Sequence, residues 1–158
     1  MVSNISKKAK LLIAKNIFMS LATSDRKGNC WVAPVNYFYY DSAYNFYFVS
    51  SRRSTHIKHI TQNPNVALAI FDSRARGKDV DGIQIKGRAS VVGRNELAKV
   101  LGEFSKARVF GDASYGMDKF ERNGIYRFIK VTTIKAYKTD YSNWDKEHID
   151  CRVAVELK

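Results

Sequence analysis

Residues Phe46–Pro64 read FYFVSSRRSTHIKHITQNP, and three kinds of local structure follow one another inside this stretch. Phe46-Tyr47-Phe48-Val49 is an aromatic and β-branched run of the kind that favours a strand. It stops at Ser50-Ser51-Arg52-Arg53-Ser54-Thr55, a turn rich in hydroxyls and positive charge. Ile57 and Ile60 then recur at helical spacing until Asn63-Pro64 ends the segment. The pattern predicts a strand, a turn, and a short helix starting near Ser54 or Thr55. A helix start presents backbone N–H groups without partners and a partial positive charge. Here Ser and Thr hydroxyls, Arg52, Arg53, His56 and Lys58 surround it, which is the chemistry of a phosphate-type anion site. The alternative is that Ser54 only caps the helix and the basic residues are solvated.

Upstream, Met19–Thr23 (MSLAT) and Trp31–Tyr40 (WVAPVNYFYY) read as strands joined by the turn-rich Ser24–Asn29. Asp41–Asn45 turns the chain into the Phe46 strand, so these three strands make an antiparallel meander. Pro34 has no N–H to give a ladder, which places its strand locally at an edge or a bulge and leaves main-chain groups open to a ligand. Ahead of the meander, Ser3 or Asn4 caps a helix over about residues 5–18, with Ile5, Ala9, Leu12, Ile13 and Ile17 on one side and lysines on the other.

Downstream, Val66–Phe71 (VALAIF) is a continuous apolar run expected in a central strand, and Asp72–Asp81 is a charged loop. Ile83–Val92 alternates around Gly87, which marks a bulge or a close approach by another group. Asn95 starts a helix over Glu96–Lys106 that buries Leu97, Val100, Leu101 and Phe104. Gly111–Glu121 is irregular. Ile125–Ile134 and Lys135–Tyr141 supply one or two closing strands. Tyr141–Arg152 is a loop carrying Trp144 and His148, and Arg152–Leu157 alternates weakly. About six strands, small peripheral helices and no βαβ rhythm predict a mainly β fold, a closed antiparallel barrel of Greek-key type. No linker or repeat divides residues 1–158, so one domain is expected.

The chain has 158 residues, 45% of them hydrophobic, enough for a packed core without metal or disulfide support. No apolar run approaches the roughly 18 residues of a membrane span, and lysines interrupt the N-terminal segment, so neither a span nor a signal peptide is expected. Cys30 and Cys151 have no metal-like spacing, which fits a reducing cytoplasm. His56, His59 and His148 likewise form no metal pattern. The formal charge of +12 favours anionic partners: a nucleic acid, an anionic surface or a phosphorylated cofactor. Basic residues do not interleave with aromatics along any strand as an RNA platform requires, which argues against nucleic acid.

Taken together, MSLATSDRKGNCWVAPVNYFYYD (Met19–Asp41), FYFVSSRRSTHIKHITQNPNVALAIF (Phe46–Phe71), GIQIKGRASVV (Gly82–Val92) and IYRFIKVTTIKAY (Ile125–Tyr137) resemble the pyridoxamine 5′-phosphate oxidase-like family. The resemblance covers roughly Ile5 to Lys138 and implies its fold, the FMN-binding split β-barrel with six antiparallel strands. It implies FMN as cofactor, with the backbone of Val32, Ala33, Pro34, Val35 and Asn36 along the flavin. Ser50 and Ser51 match a hydroxyl and amide pair beside the flavin or its ribityl chain. Ser54, Thr55 and His56 take the place of a Ser-Arg-Lys phosphate clamp, with Arg53 or Lys58 supplying the charge that those identities lack. Gln84 falls where a glutamine reaches the flavin from the neighbouring chain, and Lys86 or Arg88 approaches the phosphate or ring edge. A homodimer with the cofactor at its two-fold interface is implied.

The tail YSNWDKEHIDCRVAVELK (residues 141–158) departs from the family pattern, because His148 and Arg152 lack the Arg-x-His arrangement that grips a vitamin B6 substrate. A flavin performs its own redox chemistry, so the chain needs no catalytic triad or metal cluster. Trp144 is a candidate for stacking on a ring. The expected function is an FMN-dependent oxidoreductase passing electrons from NAD(P)H to a small acceptor, in the cytoplasm. The alternatives are a non-enzymatic flavin- or haem-binding module and a nucleic-acid-binding barrel.

Overall fold

The computed structural model describes residues 4–76, 80–108, 119–120, 124–140 and 151–157. Three helices and seven strands follow in the order α1 (Asn4–Lys15), β1 (Phe18–Ser24), β2 (Cys30–Tyr40), β3 (Phe46–Ser51), α2 (Thr55–Gln62), β4 (Asn65–Phe71), β5 (Gly82–Val91), α3 (Arg94–Ala107), β6 (Tyr126–Asp140) and β7 (Cys151–Val155). Every strand pairing is antiparallel. The sheet runs β3-β2-β1-β4-β5-β6-β7, and a further pairing of β3 with β6 closes six of its strands into a barrel. This is the split barrel. Strand β7 lies outside the closed ring, on the edge of β6. No helix among the described residues is long and apolar enough to cross a membrane.

Alternation along the strands fills the barrel. Leu21, Val35, Phe46, Phe48, Leu68, Ile70, Ile83, Ile85, Ile129 and Val131 point inward and are buried together. Removing such side chains from water supplies about 1.5–3 kcal/mol apiece. Helices α1 and α2 contribute Ala9, Ile13, Ile57 and Ile60 to the same core. The hydroxyl of Tyr37 donates to the carbonyl of Ile13 at 2.7 Å, which fastens α1 to β2. A second cluster on the outside of β3 and β6, with Tyr47, Phe128 and Phe120, is covered by Val100 and Phe104 of α3.

Several boundaries differ from the sequence expectation. Helix α1 stops at Lys15 rather than reaching Phe18, since the Asn16 side chain donates to the Leu12 carbonyl at 2.8 Å and Phe18 already pairs with Asn36. Ile17, expected on the buried face of that helix, is 61% exposed. The cap of α3 is Gly93, not Asn95. The closing strands are one continuous strand, β6. Pro34 sits at an edge, and the irregularity in β2 comes later, between Tyr37 and Tyr39.

Gly87 marks both a bulge and a close approach. The register with β6 shifts there, because Lys86 faces Lys135 whereas Gly87 faces Thr133. A Cβ on Gly87 would stand 2.7 Å from Val131 Cγ1 and 2.9 Å from the Thr132 carbonyl oxygen. The second contact is backbone and cannot swing aside. Gly87→Ala is therefore expected to destabilise the fold by about 1–3 kcal/mol. Gly102→Ala, on an α3 site with nothing within 4 Å, should instead be neutral or mildly stabilising. Urea denaturation midpoints of the two variants check the contrast.

Candidate functional site

The site begins where β3 leaves β2. Their last register pair is Tyr37 with Phe48, and β3 then stays paired with β6 as far as Ser51 with Tyr126. Residues Val32–Asn36 of β2 keep β1 as their only strand partner among the described residues. One edge of this segment is thus open, with Pro34 in its middle. Ala33 and Val35 point into the core and direct their N–H and C=O groups to β1, so Val32, Pro34 and Asn36 turn outward and leave backbone groups on the open edge, Pro34 its carbonyl alone.

Beyond that edge lies the end of β3 and the start of α2. A turn closes through the Ser54 N–H donating to the Ser51 carbonyl at 3.0 Å, and α2 begins with the Lys58 N–H donating to the Ser54 carbonyl at 3.1 Å. Ser54 occupies the cap position in extended conformation, yet its hydroxyl does not cap. It donates instead to the Ser51 carbonyl at 2.8 Å. The N–H groups of Thr55, His56 and Ile57 are left without an intrahelical acceptor, and no carboxylate stands in the first turn. Capping by the Ser54 hydroxyl, the simpler of the two sequence readings, is not the arrangement in the structure.

His56 faces inward. Its Nε2 lies 2.8 Å from the Ser50 hydroxyl and 3.2 Å from that of Ser54, and the two hydroxyls are 3.3 Å apart. Burial, together with the neighbouring His59, holds its ring below the usual histidine range. His59 contacts the Thr23 hydroxyl through Nδ1 at 3.3 Å. Arg53, Thr55 and Lys58 are exposed around the corner. The Arg53 N–H donates to the Ser51 hydroxyl at 3.2 Å.

A second group of residues shares the outer face of the barrel. The register lines up Pro34, Ser20, Ala69, Gln84 and Tyr137 in one row, and Val32, Ala22, Ala67, Lys86 and Lys135 in the next. Phe18 and Phe71 flank these rows and are 56% and 47% exposed. A cavity of about 400 Å³ opens between them, with Pro34 and Ser20 in its wall and Lys15 and Arg74 at its rim. The outward positions of β1, β2, β4 and β5 carry Lys86 and Arg88 and no carboxylate. The Gln84 amide makes no hydrogen bond to a described residue.

The structure thus sorts the residues expected from sequence into two places. Ser50, Ser51, Arg53, Ser54, Thr55, His56 and Lys58 form the corner, and Val32, Pro34, Asn36, Gln84 and Lys86 lie on the outer face, with the open edge of β2 between them. Trp144 and His148 lie outside the described residues. Sequence reasoning missed Arg127, which β6 places directly opposite Ser50. It is half-buried and donates to the carbonyls of Gly124 and Tyr126 at 2.9 and 2.6 Å. No local signal points to it, because the pairing that brings it there joins distant parts of the chain. Among the described residues no group of His, Cys, Asp and Glu is arranged to hold a metal.

A family model described as pyridoxamine 5′-phosphate oxidase matches residues 5–140. The chain belongs to the pyridoxamine 5′-phosphate oxidase family. No curated protein sequence matches it. Among solved structures it is similar to HutZ, the haem storage protein of Vibrio cholerae, with 15% identity, a TM-score of 0.65, and coverage of 84% of this chain and 92% of that one. An FAD-binding protein of Mesorhizobium loti is 17% identical with a TM-score of 0.63, covering 87% and 95%. A haem-binding protein of Mycobacterium smegmatis is 15% identical with a TM-score of 0.68, covering 99% of this chain and 60% of that one. At these identities the likeness is one of fold.

The buried ring makes one measurable statement about the ligand-free protein. The unfolded chain takes up a proton at His56 near pH 6.5, whereas the folded chain does so lower, so stability present above that pH is lost as pH falls toward the folded midpoint. NMR titration of the His56 ring should give a midpoint below about 6.5. His56→Gln should flatten part of the acid-side loss in unfolding midpoint.

Proposed function

We propose that the chain is an FMN-binding oxidoreductase that works as a homodimer and passes electrons from reduced nicotinamide to a small acceptor. The observation that carries this reading is the uncapped start of α2, lined by hydroxyls and with no carboxylate in its first turn, beside the open edge of β2. Ser50, Ser54 and the N–H groups of the first turn of α2 suit a phosphate. Ser51 and the exposed Arg53, Thr55 and Lys58 stand around it, and Arg127 across from Ser50 is the cation that the β3–β6 pairing adds. The main chain of Val32–Asn36 suits the edge of an isoalloxazine ring. When bound, that ring supplies the hydride and electron transfer, while the protein binds and orients it.

The outer face supports the dimer. It exposes Phe18, Val32, Pro34, Ala67 and Phe71, with Ala69 half-buried among them, as neighbouring apolar positions of the kind that mark an interaction surface. Two such faces meeting about a two-fold axis bring Lys86 and Arg88 of both copies together without a carboxylate among the outward strand positions. An anionic cofactor held between the copies relieves that repulsion, and the unpartnered Gln84 amide is placed to reach across. Cysteine usage fits a cytoplasmic location.

A second reading, a haem-binding module, is favoured by the names of two of the three structural neighbours. Colour separates the two: flavin bands in the purified protein, bleached by NADH or NADPH with turnover, support the oxidoreductase. A Soret band without flavin supports the haem protein.

Two variants test the assignment. Ser54→Ala combined with Arg53→Ala should weaken FMN binding by about 2–3 kcal/mol, roughly 30- to 150-fold in Kd by flavin fluorescence quenching. Unchanged affinity counts against the phosphate corner. Ala67→Arg, in the middle of the outer face, should shift the protein from dimer to monomer in sedimentation and weaken FMN binding with it.

A further inference from the structure

The contacts around His56 favour one place for its proton. Ser54 has a single hydroxyl hydrogen and gives it to the Ser51 carbonyl at 2.8 Å. Its 3.2 Å contact with His56 Nε2 is then a hydrogen bond only if Nε2 carries the proton. With the proton there, Nε2–H also serves Ser50 at 2.8 Å, and the Ser50 hydroxyl hydrogen, which goes to Ser54 in the 3.3 Å contact, can turn from it toward a ligand. The other ring nitrogen, Nδ1, has its lone pair available and makes no hydrogen bond to a described residue. A second proton can therefore enter at Nδ1 while every contact of Nε2 stays in place. The ring can change charge without the corner rearranging.

We propose that His56 is a positioning residue that holds the Ser50 hydroxyl for a dianionic phosphate and takes up one proton from solvent, on Nδ1, when that phosphate binds. This rests on the phosphate corner proposed above and adds to it a neutral, proton-accepting residue. In the ligand-free protein the surroundings favour the uncharged ring. It is about nine-tenths buried. The charged side chains on the segments beside it are mostly cationic: Arg52 and Arg53 from the turn, Lys58 from α2 and Arg127 from β6, with His59 next to it on α2. Arg26 of the β1–β2 hairpin and Arg88 of β5 stand by the far end of α2. The carboxylates on these elements among the described residues are Asp25, on the β1–β2 hairpin beside His59, and Asp140, at the opposite end of β6 from Arg127. A bound dianion reverses that balance and draws the proton in. Phosphate affinity is then coupled to proton uptake and rises as pH falls.

The test uses the full-length protein, with FMN and riboflavin as probes that differ only in the phosphate. Between about pH 8 and pH 6, above the second ionisation of a phosphate ester near 6, wild-type affinity for FMN should rise several-fold while that for riboflavin stays level. His56→Gln keeps a donor for Ser50 and has no site for the extra proton, so it should still bind FMN but without the rise. In the wild type, the NMR titration midpoint of the His56 ring should move up on adding FMN and stay put with riboflavin, a result that needs no variant to fold. A rise that persists in His56→Gln, or a ring midpoint that FMN leaves unmoved, overturns the proposal while leaving the phosphate corner standing. FMN and riboflavin binding equally tightly overturns the corner and this proposal together.

Discussion

Strand β3 cannot follow β2 and β6 along the same length, and the rest of the structure depends on how that conflict is settled. It pairs with both through Phe46–Phe48 and then keeps only β6. The barrel closes through that choice, because the β3–β6 ladder is the one that joins the two ends of the six-stranded ring. The same choice frees one edge of Val32–Asn36. A backbone edge buried without partners would be costly, so it must meet water, another chain or a ligand. Pro34 lowers the demand by one N–H and blocks pairing at the centre of the segment.

The hydroxyl corner follows from the same divergence. Once β3 has left β2, Ser50 takes the next inward position after Phe46 and Phe48, and α2 starts one short turn beyond Ser51. Ile57 and Ile60 fasten α2 into the barrel core, which fixes the orientation of its first turn. The side chain that would usually cap that turn is engaged elsewhere. The Ser50–Ser54–His56 contacts thus set both the donors that remain and the charge that the corner can take up.

Much of this was legible in the residues themselves. The FYFV run, the hydroxyl-rich turn and the Ile57–Ile60 spacing located β3 and α2 within two residues, and Gly87 announced its close approach. Pro34 announced an edge. What stayed hidden depended on contacts between distant segments. Ile17 continues a helical period, yet Phe18 is claimed by its ladder with Asn36, so the helix ends three residues early. Arg127 looks like any strand arginine until the register sets it opposite Ser50. The turn of the Ser54 hydroxyl to the Ser51 carbonyl and the inward turn of His56 were equally out of reach, since a Ser-Thr-His run at a helix start reads as a cap with solvated neighbours. The residue pattern suggested the corner and the family resemblance added Val32–Asn36 and Gln84 as candidates, whereas only the register sets these as a corner and a face separated by an open strand edge.

A crystal structure of the protein with flavin mononucleotide tests the central claim most directly. The account predicts two copies related by a two-fold axis through their outer faces, phosphate oxygens within hydrogen-bond reach of the Ser50 and Ser54 hydroxyls, and the ring lying along Val32–Asn36. A corner filled by the protein's own side chains, with the flavin elsewhere or absent, would contradict it.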